Sequence, residues 1–232
     1  MKEISLDYLS TFEKNFSIDK EKHIVILMTI KTFRDRFELY PELKENAKLF
    51  ALYDDWEEEG IFFMTTLDFR MMTFCCSVRN VYREMLFELQ NEMNLIIHED
   101  TDCICLHLTL EKALELKYEI PLNSKIKELS TEYVDKINNA WPHRFEQSEL
   151  FIDYSIKYHI SMGLFDSNDN LIAWCLRYDN GSLGVLQVDQ KHLRKGFGEI
   201  VVRAMIKKIA EFCNCDIISL VVSENVKSMN LG

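Results

Sequence analysis

Seven glycines and three prolines are all that punctuate the 232 residues. No Pro- or Gly-rich linker divides the chain, and no low-complexity or repeat architecture fits it. No uninterrupted apolar run reaches bilayer-spanning length. Positive charge is scarce as well: 27 Lys and Arg against 38 Asp and Glu leave a net charge of -11. That excludes the spread basic surface of a general nucleic-acid or anionic-membrane binder, so any anion site must be local. The opening MKEISLDYLSTFEKNF carries Glu3, Asp7 and Glu13, unlike a signal peptide or an acid-poor transit peptide. The cysteines number seven, with Cys75 and Cys76 adjacent. An odd set without secretory features reads as free thiols in a reducing compartment, and the expectation is cytoplasmic.

What the chain has is material for a core, 47% hydrophobic and 12% aromatic residues. The first part alternates strand-like runs, HIVILMTI, IFFMTT and DCICLHLTL, with a helical pattern through VYREMLFELQNEM. Together these give an α/β (α+β) class. In HEDTDCICLHL, His98, Cys103, Cys105 and His107 have the chemistry of soft metal ligands, but the run alternates with Ile104, Leu106 and Leu108 as an ordinary strand does. No metal is expected. The acidic DDWEEEG, residues 54–60, reads as a solvated turn.

PLNS, residues 121–124, ends these signals, and a division near residue 125 gives an amino-terminal lobe 1–125 and a carboxy-terminal domain 126–232. ELSTEYVDKINNAW then predicts a helix with Ser130 or Thr131 as N-cap. Another is expected from Gln147 to about Tyr158, with Leu150, Phe151, Tyr154 and Tyr158 on one face. MGLFDSNDNLIAWCLRYDNGSLGVLQVD breaks at 167–170 and at Asp179-Asn180-Gly181, both suited to hairpin turns, and so predicts an antiparallel meander. Its last strand, Ser182 to Val188, runs into VDQKHLRKGFGEIVVRAMIKKIAEF. There a basic elbow precedes a helix with Phe197, Val201, Ala204, Met205, Ile209 and Phe212 on one face. DIISLVVSEN is a further strand.

A helix start offers unpaired N–H groups and partial positive charge, which suit a phosphate. Gly196 and Gly198 would let a pyrophosphate approach the main chain, and Arg194 and Lys195 add full charge. The dinucleotide fingerprint needs a third glycine and an acidic residue, and a P-loop needs Gly-Lys-Ser/Thr; this elbow has neither.

The combination resembles the GNAT superfamily of acyl-CoA-dependent N-acyltransferases, whose phosphate loop reads Q/R-x-x-G-x-G/A. The pattern falls on Leu193, Arg194, Lys195, Gly196, Phe197 and Gly198, and all but Leu193 conform. SENVKS looks like the family segment in which an Asn, here Asn225, meets the cofactor arm. More narrowly, residues 133–188 are similar to glycine N-acyltransferase-like proteins, including their insect relatives, with Trp141, Ser148, Ile152, Ile156, Gly163, Trp174 and Gly181 at matching positions. The resemblance implies a mixed sheet with an antiparallel meander and a phosphate-binding strand-loop-helix, preceded by a second, degenerate lobe of the same type.

It also implies acetyl-CoA or another acyl-CoA as co-substrate and direct attack by the amine of glycine or another small acceptor on the thioester, with no protein nucleophile. Gln187 and Val188 would pair with the pantetheine amides. Vertebrate relatives, which commonly reside in mitochondria, carry a carboxylate where this chain has Ser182, which cannot titrate near neutrality. Asp189 and Glu224 are then the candidate bases, acting through water, and His192 is a further titratable group beside the loop. Trp141 and Arg144, with His143 and Phe145, are candidates for the acceptor pocket, Arg144 pairing with an acceptor carboxylate. The chain stops at SENVKSMNLG, where the family continues through two more strands. The expectation is an open sheet edge and a homo-oligomer formed through it. A non-catalytic acyl-CoA-binding or interaction protein is the alternative reading.

Overall fold

The computed structural model describes residues 2–51, 62–65, 87, 91 and 102–225. DDWEEEG, Cys75, Cys76 and His98 lie outside the described residues, as does VYREMLFELQNEM apart from Phe87 and Asn91, which are helical. Two sheets are present among the described residues. The smaller is antiparallel, in the order β1 (Lys2–Ile4), β2 (Lys48–Ala51), β3 (Phe62–Thr65). Two helices, α1 (Leu9–Phe16) and α2 (Ile24–Leu39), lie between its first two strands in sequence.

HIVILMTI, expected as a strand, is the first half of α2. Its β-branched residues favour a strand locally, but the buried positions Ile24, Leu27, Ile30, Phe33 and Phe37 recur at intervals of three and four. Burial against α1 on that helical stripe outweighs the propensity of a few tenths of a kcal/mol per residue, roughly.

The larger sheet has six strands in the order β4 (Cys103–Leu108), β9 (Ile217–Val222), β8 (Ser182–Val188), β7 (Leu171–Arg177), β6 (Ser161–Phe165), β5 (Lys125–Glu128). All pairs are antiparallel except β8 with β9. This is the mixed sheet and meander that the sequence predicts. Every residue of β6 and β7 is buried, because helices cover both faces. Ala173 and Cys175 face one core with α6 (Phe197–Cys213), α1 and α2; Trp174 and Leu176 face the other with α4 (Val134–Ala140) and α5 (Ser148–Tyr158).

The open edge expected at β9 is filled by β4, which pairs with it antiparallel from Cys103↔Val222 to Leu108↔Ile217. The exposed row of N–H and C=O groups on β9 is thereby satisfied within the chain. A division at residue 125 falls on the first residue of β5 and parts β4 from the strand it pairs with. Asp216 bolts this junction. Its carboxylate accepts from His107 Nε2 at 2.7 Å, Lys20 Nζ at 2.8 Å and the N–H of Leu110 at 3.1 Å, at the start of α3 (Leu110–Glu115). Burial alone would raise its pKa; the donors outweigh it and hold the carboxyl below the usual range.

Two helix faces differ in detail from the sequence pattern. In α5 the buried set is Ser148, Phe151, Ile152, Tyr154, Ser155 and Ile156, while Leu150 is exposed. In α6, Phe212 is exposed beside Lys208, and the core stripe ends at Ala210. Leu150 sits one position off the buried stripe, and Phe212 lies beyond Ala210, the last buried residue of its helix.

Candidate functional site

The β7–β8 hairpin turns at Asp179-Asn180-Gly181 as expected, with the Gly181 N–H donating to the Tyr178 carbonyl at 2.9 Å. From that turn β8 runs between β7 and β9, but it meets β9 only at Ser182↔Ile218 and Leu183↔Ser219. Beyond Leu183 the two strands part. β9 continues along β4 while β8 follows β7, whose register with it shifts between Trp174 and Leu176. Val185, at a φ of 48°, marks the irregularity. An extra residue of this kind bends its strand and increases its twist. The result is a fork: from Gly184 onward, β8 has no strand partner on its β9 side among the described residues.

Tyr178 lies over the crotch of the fork. A Cβ on Gly184 would stand 2.2 Å from its Cζ and 2.6 Å from its hydroxyl oxygen, so only glycine admits the ring there. The same ring packs at 5.4 Å from that of Phe151. Sequence reasoning missed Tyr178; the signal available was a glycine inside an apolar strand, which marks a close approach by another group.

Downstream, Asp189 accepts from the N–H of Lys191 at 3.1 Å, opening a short helical turn over Gln190–His192, and forms an ion pair with Lys136 at 3.4 Å. The Lys191 N–H first, and then Lys136, hold its carboxyl below the usual range. Leu193, Arg194 and Lys195 are exposed. Arg194 and Gly196 both have positive φ, 61° and 76°. A Cβ at Gly196 would meet nothing within 4 Å, so the main chain there is bare, and no side chain caps α6. The first intrahelical bond runs from the Ile200 N–H to the Gly196 carbonyl at 3.2 Å. The preceding N–H groups of Phe197, Gly198 and Glu199 lack intrahelical acceptors, as at any helix start. His192 is half-buried with its ring 6.0 Å from that of Phe197.

The structure thus gathers Gln187, Val188, Arg194, Lys195, Gly196, Phe197 and Gly198 along one continuous path from fork to helix. Gln187 pairs with Trp174 and Val188 with Ala173 on the β7 side. Glu224 and Asn225 are exposed just past β9, where the Asn225 N–H donates to the Val222 carbonyl at 2.8 Å. Other candidates stand apart. Ser182 is buried, its hydroxyl donating to Asn180 Oδ1 at 2.7 Å. Trp141 is buried too, stacked on Phe151 at 5.7 Å and edge-on to Phe145 at 6.1 Å, and so belongs to the second core. Arg144 is exposed and donates to Asn139 Oδ1 at 3.1 Å.

Residues 161–231 match the FR47-like protein family. The FR47-like segment begins with β6 and takes in the meander, the fork, the elbow, α6 and β9. An X-ray structure of a Drosophila protein superimposes with a TM-score of 0.81 over 99% of this chain and 92% of that one, at 18% identity. That likeness shows a shared fold over both the FR47-like segment and what precedes it. A GCN5-related N-acetyltransferase from Kribbella flavida aligns over 57% of this chain and 55% of that one, at 12% identity and a TM-score of 0.42. No curated protein sequence matches the chain. Among the described residues no helix is long and apolar enough to cross a membrane.

Proposed function

We propose that the chain is an acyl-CoA-dependent N-acyltransferase acting on glycine or another small amine. The observation that carries this reading is the fork of β8 from β9 leading straight into an uncapped, glycine-started helix. The FR47-like match over the same residues and the GNAT-type loop pattern support it. The pyrophosphate of the donor lies against the N–H groups that open α6, flanked by Arg194 and Lys195. Its pantetheine arm takes the strand partner's place beside Gln187 and Val188, and the thioester reaches the crotch beneath Tyr178.

The chemistry there is attack of a neutral amine on the thioester carbonyl. A main-chain N–H of the bent β8 segment stabilises the developing oxyanion, and such a donor is indifferent to side-chain identity. The Tyr178 hydroxyl, over Gly184, orients the reacting groups. Asp189 is ionised at neutral pH and shared with Lys136, so it serves as a weak base at best, with Glu224 the second candidate acting through water.

A second reading, binding without turnover, has one specific observation in its favour. Ser182 stands where relatives carry a carboxylate, and it is buried and committed to Asn180. One experiment separates the two. The chain is titrated calorimetrically with acetyl-CoA, and free thiol release is then followed with glycine and other small amines. Binding that is lost in Gly196→Glu, with amine-dependent thiol release, establishes the transferase. Binding without release under any acceptor establishes the second reading, and no binding by the folded parent overturns both.

A further inference from the structure

At the far end of α6 from the elbow lies a cluster that the proposed transfer reaction does not use. Arg177, the last residue of β7, is 3% exposed, and among the described residues no carboxylate lies within 4 Å of it. Its Nε donates to the Gly181 carbonyl at 3.2 Å. The other two nitrogens face sulfur: Nη1 is 3.2 Å from Cys213 Sγ and Nη2 is 3.7 Å from Cys215 Sγ. Both sulfurs reach one guanidinium because Asn214, the C-cap of α6, takes a left-handed φ of 49° and turns the chain between them. A buried guanidinium keeps its charge, and the groups within hydrogen-bond reach of Nη1 and Nη2 are two thiols, one of which can ionise, while the Asp35 carboxylate of α2 acts on it from farther off. The Cys215 thiol donates to Cys213, and with the Arg177 charge this brings Cys213 down to about 6, while Cys215 moves up. The other charged groups facing the pair are Asp35 and Lys31 on α2. Cys213 is half-buried, and Cys215 is buried.

We propose that Cys213 and Cys215 form a reactive dithiol that is oxidised by small-molecule disulfides, with Cys213 as the attacking sulfur and Cys215 as the resolving one. The Cys213 thiolate attacks one sulfur of the disulfide and expels the other half as a thiolate. Cys215 then attacks the Cys213 sulfur of the mixed disulfide, its proton passing to the second departing thiolate. Two electrons leave the dithiol, one internal disulfide forms and the small disulfide becomes two thiols. Oxidation removes the thiolate facing Arg177, which holds the β7–β8 turn through Gly181.

The molecule carries its own control. Cys103 and Cys105 have the same i, i+2 spacing on β4 and are exposed. In the native 232-residue chain, iodoacetamide at pH 7 is expected to label Cys213 about ten-fold faster than Cys103 or Cys105, as read by peptide mass spectrometry. Incubation with glutathione disulfide is expected to give a Cys213–Cys215 cross-linked peptide, and Cys215→Ser to stop at glutathione on Cys213. Equal labelling of Cys213 and Cys103, or glutathione retained on Cys213 in the wild-type chain without cross-linking, overturns the assignment. The labelling ratio is measured in the wild-type chain and needs no variant to fold.

Discussion

At its first residue β8 is held from every side, whereas its last residues are open on the β9 side. Ser182 is bonded through both its N–H and its hydroxyl to Asn180 Oδ1. Asp179 beside it takes the Arg36 guanidinium of α2 and His159 Nε2, the latter at 2.7 Å. Arg36 is 2% exposed and flanked by the rings of Phe33 at 4.6 Å and Tyr154 at 5.4 Å. Burial would raise the Asp179 pKa, but Arg36 and His159 hold it well below the carboxylate range; burial, with Arg36, pushes His159 down to about 4. Some twenty ångströms along the strand, roughly the length of six or seven extended residues, the main chain is paired with β7 alone and runs on into a helix that no side chain caps. One end spends its polar groups on the fold, and the other leaves them available. A strand fixed at one end and open at the other can present backbone donors without reorganising, which is what a preorganised site requires.

The contrast breaks most readily at the anchored end. Asp179→Ala strands a buried guanidinium, and a loss of about 3 kcal/mol is expected in denaturant unfolding. A loss below about 1 kcal/mol would mean the anchor is no stronger than an exposed ion pair. Acid probes the same cluster. His159 has a folded pKa of about 4 against an ordinary value of 6.5, so below pH 6.5 the unfolded chain binds the extra proton. Stability should therefore fall as the pH drops from 6.5 towards 4, by on the order of 3 kcal/mol for a shift of that size. The depressed Asp179 adds stability that is present above its unfolded pKa and is lost only at still lower pH. The slope between pH 6.5 and 4 should flatten in His159→Gln, and an unchanged slope would assign it elsewhere.

At the fork, Gly184→Ala drives a methyl into the Tyr178 ring and should cost roughly 1–3 kcal/mol. Tyr178→Ala in the same chain should relieve much of that cost, and strict additivity of the two would show that ring and glycine do not meet. The smallest effect belongs at the elbow. Gly196→Ala meets open space but carries a φ of 76°, so about 1 kcal/mol of stability should be lost, by urea titration. A much larger loss would mean the elbow is packed after all.

The local grammar of the carboxy-terminal half was legible because each element there has its own chemistry. Turn residues at 166–170 and 179–181 separate apolar runs. Asp166 Oδ1 accepts from the N–H groups of Asn168 and Asn170, both at 2.9 Å, as an Asx turn would. The elbow's glycines, charges and following periodicity placed the strand-loop-helix directly. HIVILMTI was not legible, because a short apolar run fits a buried strand and a buried helix equally well and only α1 and the sheet decide between them. Trp141 reads as a pocket residue when its ring partners, Phe145 and Phe151, are known only as neighbours in sequence.

The sequence by itself determined the mixed fold class, the meander, the elbow and the acidic surface, since periodicity, turn residues and net charge are properties of short stretches or of the whole count. Only the tertiary structure decided that β4 closes the sheet on β9, that β8 and β9 part after Leu183, and that Arg177 meets two sulfurs. Each of these joins residues distant in the chain or in different elements. Which backbone and charged groups find one another over such distances is set by packing and hydrogen-bond satisfaction across the whole core, and no local pattern records it.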